Sequence, residues 1–287
     1  RSQTTLRIFK FLTMRHVTKI FLKFLPFWLF LLFYKFAGAL HYTLLAPYGE
    51  QLMPVWLAGL LIGGESVVQM MLDVPSGSML DRFGYRRLLA LTTLFFMFSA
   101  ACFVAGLSTT TYLLTIGLST LGWLFFTPGT IAYILAHTTE KESGRFFSFR
   151  EISNSIGVVL ASISLPFVLL ASPKIAGLML IGLLSVAFIC IMLSPGDKHL
   201  SPRREQPAHE RRHTRGHSWL ALWRTLRKLN PASSMLAVLA FASGTFYGVI
   251  WFTVPLVIAH EQMGSGLMGI ALGIFDFSVV VLGYLIG

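Results

Sequence analysis

Long apolar runs separated by short polar segments dominate the chain. Taken in order, they predict eight helices over 22–46, 54–76, 88–107, 110–136, 149–171, 174–194, 232–259 and 264–287. Each run has about 20 residues or more, which at about 1.5 Å per residue crosses roughly 30 Å of hydrocarbon. The one long polar stretch, 195–217, is rich in Arg, His and Pro and divides six runs from two. Behind it, Trp219, Leu222, Trp223 and Leu226 recur at helical spacing, with Arg224, Arg227 and Lys228 turned away. Ser218 is the N-cap of this segment, which reads as an amphipathic interfacial helix or, equally, as a cap of the next membrane helix. The pattern divides the chain into a basic tail (1–21), a six-helix unit (22–194), a linker with the amphipathic segment (195–231) and two further helices (232–287).

Composition agrees with the pattern. Hydrophobic residues make up 55% of the 287 and charged residues 12%, more apolar surface than a soluble domain of this size can hide. The expected fold is an all-α membrane bundle. The net charge of +11 would suit nucleic acid, but its placement does not. All but Lys35 and Lys174 of the 23 lysines and arginines fall around the tail or after helices two, four and six. That alternation is the positive-inside pattern, which places both termini in the cytoplasm of a multi-pass protein of the cell (inner) membrane. Cys102 and Cys190 lie inside apolar runs without ligand spacing, so they read as packing residues. No cleavable signal is expected, because the first apolar run is too long; the tail lies on the anionic leaflet, or translation starts at Met14. No phosphate loop, metal cluster or nucleophile arrangement is apparent, so neither an enzyme nor a metal or cofactor is expected. The expected partners are a small solute, protons and lipid, and the expected state is a monomer.

A short charged turn sits between the second and third runs, Gly77-Ser78-Met79-Leu80-Asp81-Arg82-Phe83-Gly84-Tyr85-Arg86-Arg87-Leu88-Leu89. Gly77 suits a close helix contact and Gly84 a turn with positive φ. Asp81 suits a cap or an ion pair, and Arg82, Arg86 and Arg87 hold the loop on the cytoplasmic side. With Asp73-Val74-Pro75-Ser76 before it, the stretch resembles the signature loop of the major facilitator superfamily. Met79 replaces the usual Leu, Leu80 the small residue and Tyr85 the first basic residue. The resemblance implies two six-helix halves, transport by alternating access, and a cytoplasmic latch formed by Asp73, Gly77, Asp81, Arg82, Gly84, Arg86 and Arg87.

An internal repeat supports two halves. Phe36, Ala37 and Tyr42 match Phe241, Ala242 and Tyr247 at an offset of 205. Gly59, Gly63 and Gly77 match Gly269, Gly273 and Gly287 at an offset of 210. The second copy of the loop would begin where the sequence stops, so eight helices of an expected twelve are present; a natural eight-helix protein is the alternative. Two family features are missing. Leu118 stands where many proton-coupled members have Arg ahead of Gly122, and Gly157 is the one glycine kept from the helix-five run of drug antiporters.

Candidate chemistry concentrates in the apolar runs. Lys35 lies mid-helix, where a charge costs at least about 2.5–3.5 kcal/mol without a partner or water. It reads as an anion-binding or coupling residue facing a cavity, or as half of a structural ion pair. Glu65, Gln69 and Asp73 recur at i, i+4 and i+8 and form one polar stripe. Glu65, the deepest, pairs with Lys35 or carries a proton; Asp73 belongs with the latch. Asp276 in helix eight is a second proton candidate. His41 shares a face with Tyr34 and Gly38 and reads better as packing than as a site. Tyr42, Trp123, Tyr247 and Trp251 line a cavity or pack; Gly117, Gly122, Pro128 and Gly129 read as packing and a kink. The expectation is a secondary-active transporter of a small solute, in its finer form proton-coupled and for an anionic metabolite. Drug efflux is one alternative, and a non-transporting receptor or scaffold on the same fold is the other.

Overall fold

The computed structural model describes residues 22–196, with Met235, Thr253 and Val257 as isolated helical positions. Seven helices occupy the continuous stretch: α1 Leu25–Leu52, α2 Val55–Phe83, α3 Tyr85–Ala105, α4 Thr109–Leu124, α5 Phe126–His137, α6 Glu140–Leu170 and α7 Pro173–Leu193. The linker, the amphipathic segment, predicted helices seven and eight, Tyr247, Trp251 and Asp276 lie outside the described residues.

The helix ends follow from local chemistry. Pro occupies the first turn of α1 and α7, where its missing N–H costs nothing. Ser108 caps α4, accepting from Thr111 N at 3.2 Å while its own N–H donates to Thr111 Oγ1 at 2.9 Å. α2 and α3 meet at Gly84, whose φ of 88° is in the region that side chains disfavour, as the turn requires. α4 and α5 are two halves of one span, Thr109–His137, interrupted at Phe125. The cause is Pro128, which has no N–H for the Leu124 carbonyl one turn back.

Among the described residues, five spans are long and apolar enough to cross a bilayer: α1, α3, α4 with α5, α6 and α7. The apolar part of α2 is the shorter Val55–Gln69. The predicted start of helix five, at 149, is late by about two and a half turns, since α6 begins at Glu140. Thr139 starts it: its N–H and hydroxyl both donate to the Glu142 carboxylate, at 3.4 and 2.8 Å. An acid in the first turn also complements the helix dipole. Lys141 and Arg145, ahead of the predicted start, are therefore helical, and Arg150 lies well inside α6 rather than at its first turn.

α1 packs against α2, α6 and α7; α3 packs against α4, α5 and α7, and α2 lies on α4. Phe27, Phe30, Tyr34, Phe96, Phe126 and Tyr133 fill the centre, all fully buried. Tyr34 stacks on Phe126 with centroids 4.4 Å apart, and Phe27 stacks on Tyr133 at the same distance. α1 and α6 come closest at Gly157, where a Cβ would meet the Leu32 carbonyl and lie 2.9 Å from the Phe36 nitrogen. Gly77 behaves differently from expectation: no described atom lies within 4 Å of a Cβ built there, so it makes no close helix contact among the described residues.

Candidate functional site

Glu65 projects from α2 into the space between α1 and α4 and is buried. Its Oε1 accepts from Ser119 Oγ at 3.0 Å, and its Oε2 has no hydrogen-bond partner. Ser119 Oγ also lies 2.9 Å from the Ile116 carbonyl, so one hydroxyl proton faces two acceptors. Tyr42 of α1 and Tyr112 of α4 lie within electrostatic reach of the carboxyl, and Ser66 is the hydrogen-bonding neighbour of Tyr42. Tyr112 itself donates to the Leu45 carbonyl at 2.9 Å, which fixes α4 against α1. A buried acid ringed by hydroxyls can exchange a proton with little rearrangement.

Lys35 is elsewhere. Its ammonium lies 4.7 Å from the Trp123 ring centroid and 5.2 Å from that of Phe126. Trp123 and Phe126 flank the break between α4 and α5, which turns their rings toward α1. Trp123 rests on the Gly38 gap, where a Cβ would come within 2.5 Å of the indole. The expected pair of Lys35 with Glu65 does not form; Ser119, one turn before Trp123, holds Glu65 instead. Gln69 is half-buried a turn further along α2 without a bond to Glu65, and the Asp73 side chain lies outside the described residues.

His41 has the surroundings of a packing residue. It is fully buried, Nε2 lies 2.9 Å from Ser99 Oγ, and Ser99 Oγ donates to the Thr115 carbonyl at 2.8 Å. Since the serine proton is committed to Thr115, Nε2–H is the donor and Nδ1 is the bare nitrogen, itself without a partner. The ring lies edge-on to Phe96, with centroids 4.9 Å apart.

The signature loop is tied to its own half. Tyr85, standing where the family pattern has a basic residue, donates to Asp81 Oδ1 at 3.2 Å. Arg86 donates to the Met192 carbonyl at the end of α7, where a cation complements the helix dipole. Arg82 lies 5.3 Å over the Phe83 ring, and it and Arg87 are exposed. Beside this contact Tyr133 donates to the Pro195 carbonyl at 2.7 Å, and His137 Nε2 lies 3.1 Å from the Gly196 carbonyl.

Sequence reasoning missed Arg150, Asn154, Thr130 and Ser119. Arg150 is buried in α6; its Nε donates to Thr130 Oγ1 at 3.0 Å, and it pairs with Glu151. Asn154, one turn on, is buried with its Oδ1 unpartnered. The available signal was the Thr139–Glu142 capping box, which moves the helix start back and sets Arg150 well inside the helix instead of at its first turn.

No curated protein matches the chain. A family model described as Major Facilitator Superfamily matches residues 19–287, which takes in every described helix and the signature loop. With its all-α architecture, its multiple apolar spans and the Gly77–Leu89 turn, the chain belongs to the Major Facilitator Superfamily of membrane transporters.

Proposed function

We propose that the protein is a secondary-active transporter that moves a small anionic solute by alternating access, coupled to protons through Glu65. Its basic end faces the cytoplasm of the cell membrane, and Lys35 and Tyr42 line the solute path from the first half. The second half contributes Tyr247, Trp251 and the acid Asp276. Glu65 carries the coupling reading: an acid in an apolar bundle, held by one serine, with two tyrosines within electrostatic reach and one oxygen left open. Opening the cavity to one side lets Glu65 take a proton, and closure carries it with the solute.

Full-length protein in proteoliposomes, with a pH gradient across the membrane, tests this. Glu65→Gln keeps the size of the side chain and a contact to Ser119 but cannot exchange a proton. It should abolish gradient-driven accumulation while leaving solute exchange at equal pH. Accumulation that survives Glu65→Gln would remove the coupling role.

A further inference from the structure

Two helical stripes face one another between α1, α5 and α6. On α6, Arg150, Asn154 and Gly157 recur at i, i+4 and i+7 and share a face. On the α4–α5 span, Trp123, Phe126 and Thr130 recur at i, i+3 and i+7. Contacts fix their register at both ends. At one end Arg150 Nε donates to Thr130 Oγ1 at 3.0 Å. At the other a Cβ on Gly157 would lie 3.1 Å from Lys35 Cβ, and the Lys35 ammonium lies over Trp123 and Phe126. Asn154 falls between these two points.

Polar groups in this layer are left over. Asn154 is 6% exposed, and its Oδ1 has no partner. The Trp123 indole N–H is buried without an acceptor. Arg150 spends Nε on Thr130 and Nη1 on Glu151, and its Nη2 has no hydrogen bond among the described residues. Glu151, at i+1, is on a different face and its side chain is 47% exposed, so it orients the guanidinium without covering the layer. Buried polar groups without partners are rare in folded proteins and call for an explanation. Here the layer holds two cations and an unused indole donor, and between its two fixed ends lies an amide whose two ends exchange by a simple flip. Turned the other way, Asn154 presents its NH2 to the same layer.

We infer that Lys35, Asn154 and Arg150 form the recognition site for the acidic groups of a small organic anion, with the Trp123 ring as its wall. This rests on the transport reading above and names the substrate chemistry of that path. Arg150 and Gly157 are seven residues apart, about 10 Å along the helix. An anion with two separated acidic groups can therefore touch both cations at once, and one with a single acid group only one of them. Carboxylate and phosphate satisfy the same donors.

The test uses detergent-solubilised and reconstituted full-length protein with five probes: acetate, succinate, fructose 1,6-bisphosphate, glucose and tetraethylammonium. Calorimetric binding should favour succinate or fructose 1,6-bisphosphate, each with two separated acidic groups, over acetate, with glucose and tetraethylammonium inactive. The better of the first two separates carboxylate from phosphate chemistry. Arg150→Gln should weaken binding roughly tenfold to hundredfold, the loss of a charge-assisted hydrogen bond. Asn154→Asp should weaken it similarly by repulsion, and serves if Arg150→Gln does not fold. Absence of anion binding, binding of glucose or tetraethylammonium equal to the anions, or anion affinity unchanged in folded Arg150→Gln or Asn154→Asp overturns the site. Uptake of the same probes separates the two readings. Anion binding lost in the variants but without uptake keeps the site and removes transport, whereas variant-insensitive uptake of a neutral solute does the reverse.

Discussion

At the scale of single residues, the polar side chains inside the bundle divide by what they bond. His41 has its hydrogen-bonding donor committed to Ser99 and its ring in contact with Phe96 and Phe103, so it joins α1 to α3, contacts that favour a packing role. His41→Ala should leave a cavity and remove the donor to Ser99, costing about 2–4 kcal/mol of stability. The purified variant should melt earlier, with pH-dependent uptake per folded molecule unchanged. Normal melting together with lost pH dependence would make His41 a coupling residue instead. Glu65 differs because its second oxygen has no partner and its one bonded neighbour, Ser119, already has the Ile116 carbonyl within reach. The type of residue was legible in both cases from the sequence. The partners were not, because Ser99, Ser119 and Thr115 look like ordinary small residues until three helices bring them together.

At the scale of helices, the contacts that set the site are made by backbone rather than by side-chain volume. α6 approaches α1 at Gly157, where the obstacles to any Cβ are the Leu32 carbonyl and the Phe36 nitrogen. Main chain cannot rotate aside as a side chain can. Gly157→Ala should therefore push α6 away from α1 and cost roughly 1–3 kcal/mol, read as a lower thermal midpoint of the full-length protein. A midpoint equal to that of the parent would mean that the two helices slide freely at this level. Hydropathy located every described span, because apolar length is a local property of the chain. It failed at the start of α6, since the charged stretch 140–148 looked like loop. Burial of Arg150 became legible only with the partner helix, whose Thr130 accepts its Nε–H. The kink at Pro128 and the turn at Gly84 were legible because each follows from one residue's covalent geometry.

At the scale of the whole molecule, the distribution of charge over the two ends of the bundle is the strongest argument for orientation. One end carries Lys23, Arg82, Arg86, Arg87, Lys141 and Arg145, at the start of α1, the α2–α3 turn and the start of α6. The other end, at the α1–α2, α3–α4 and α6–α7 turns, carries Lys174. Such asymmetry is what supports the proposed orientation, with the basic end inside, and contacts within the structure join that end to itself. Arg86 reaches from α3 to the last carbonyls of α7, and Tyr133 and His137 reach from α5 to Pro195 and Gly196. The loop that would act as a latch is thus anchored on α7, with Asp81 held by Tyr85. Single cysteines at Ser143, near the start of α6, and at Thr109, at the start of α4, probe the two ends. In a background without Cys102 and Cys190, an impermeant thiol reagent added to intact cells should label position 109 and spare 143 until the membrane is opened. Labelling of both from outside would contradict a single span across α4 and α5 and would require Phe125 to be a point where the chain turns back.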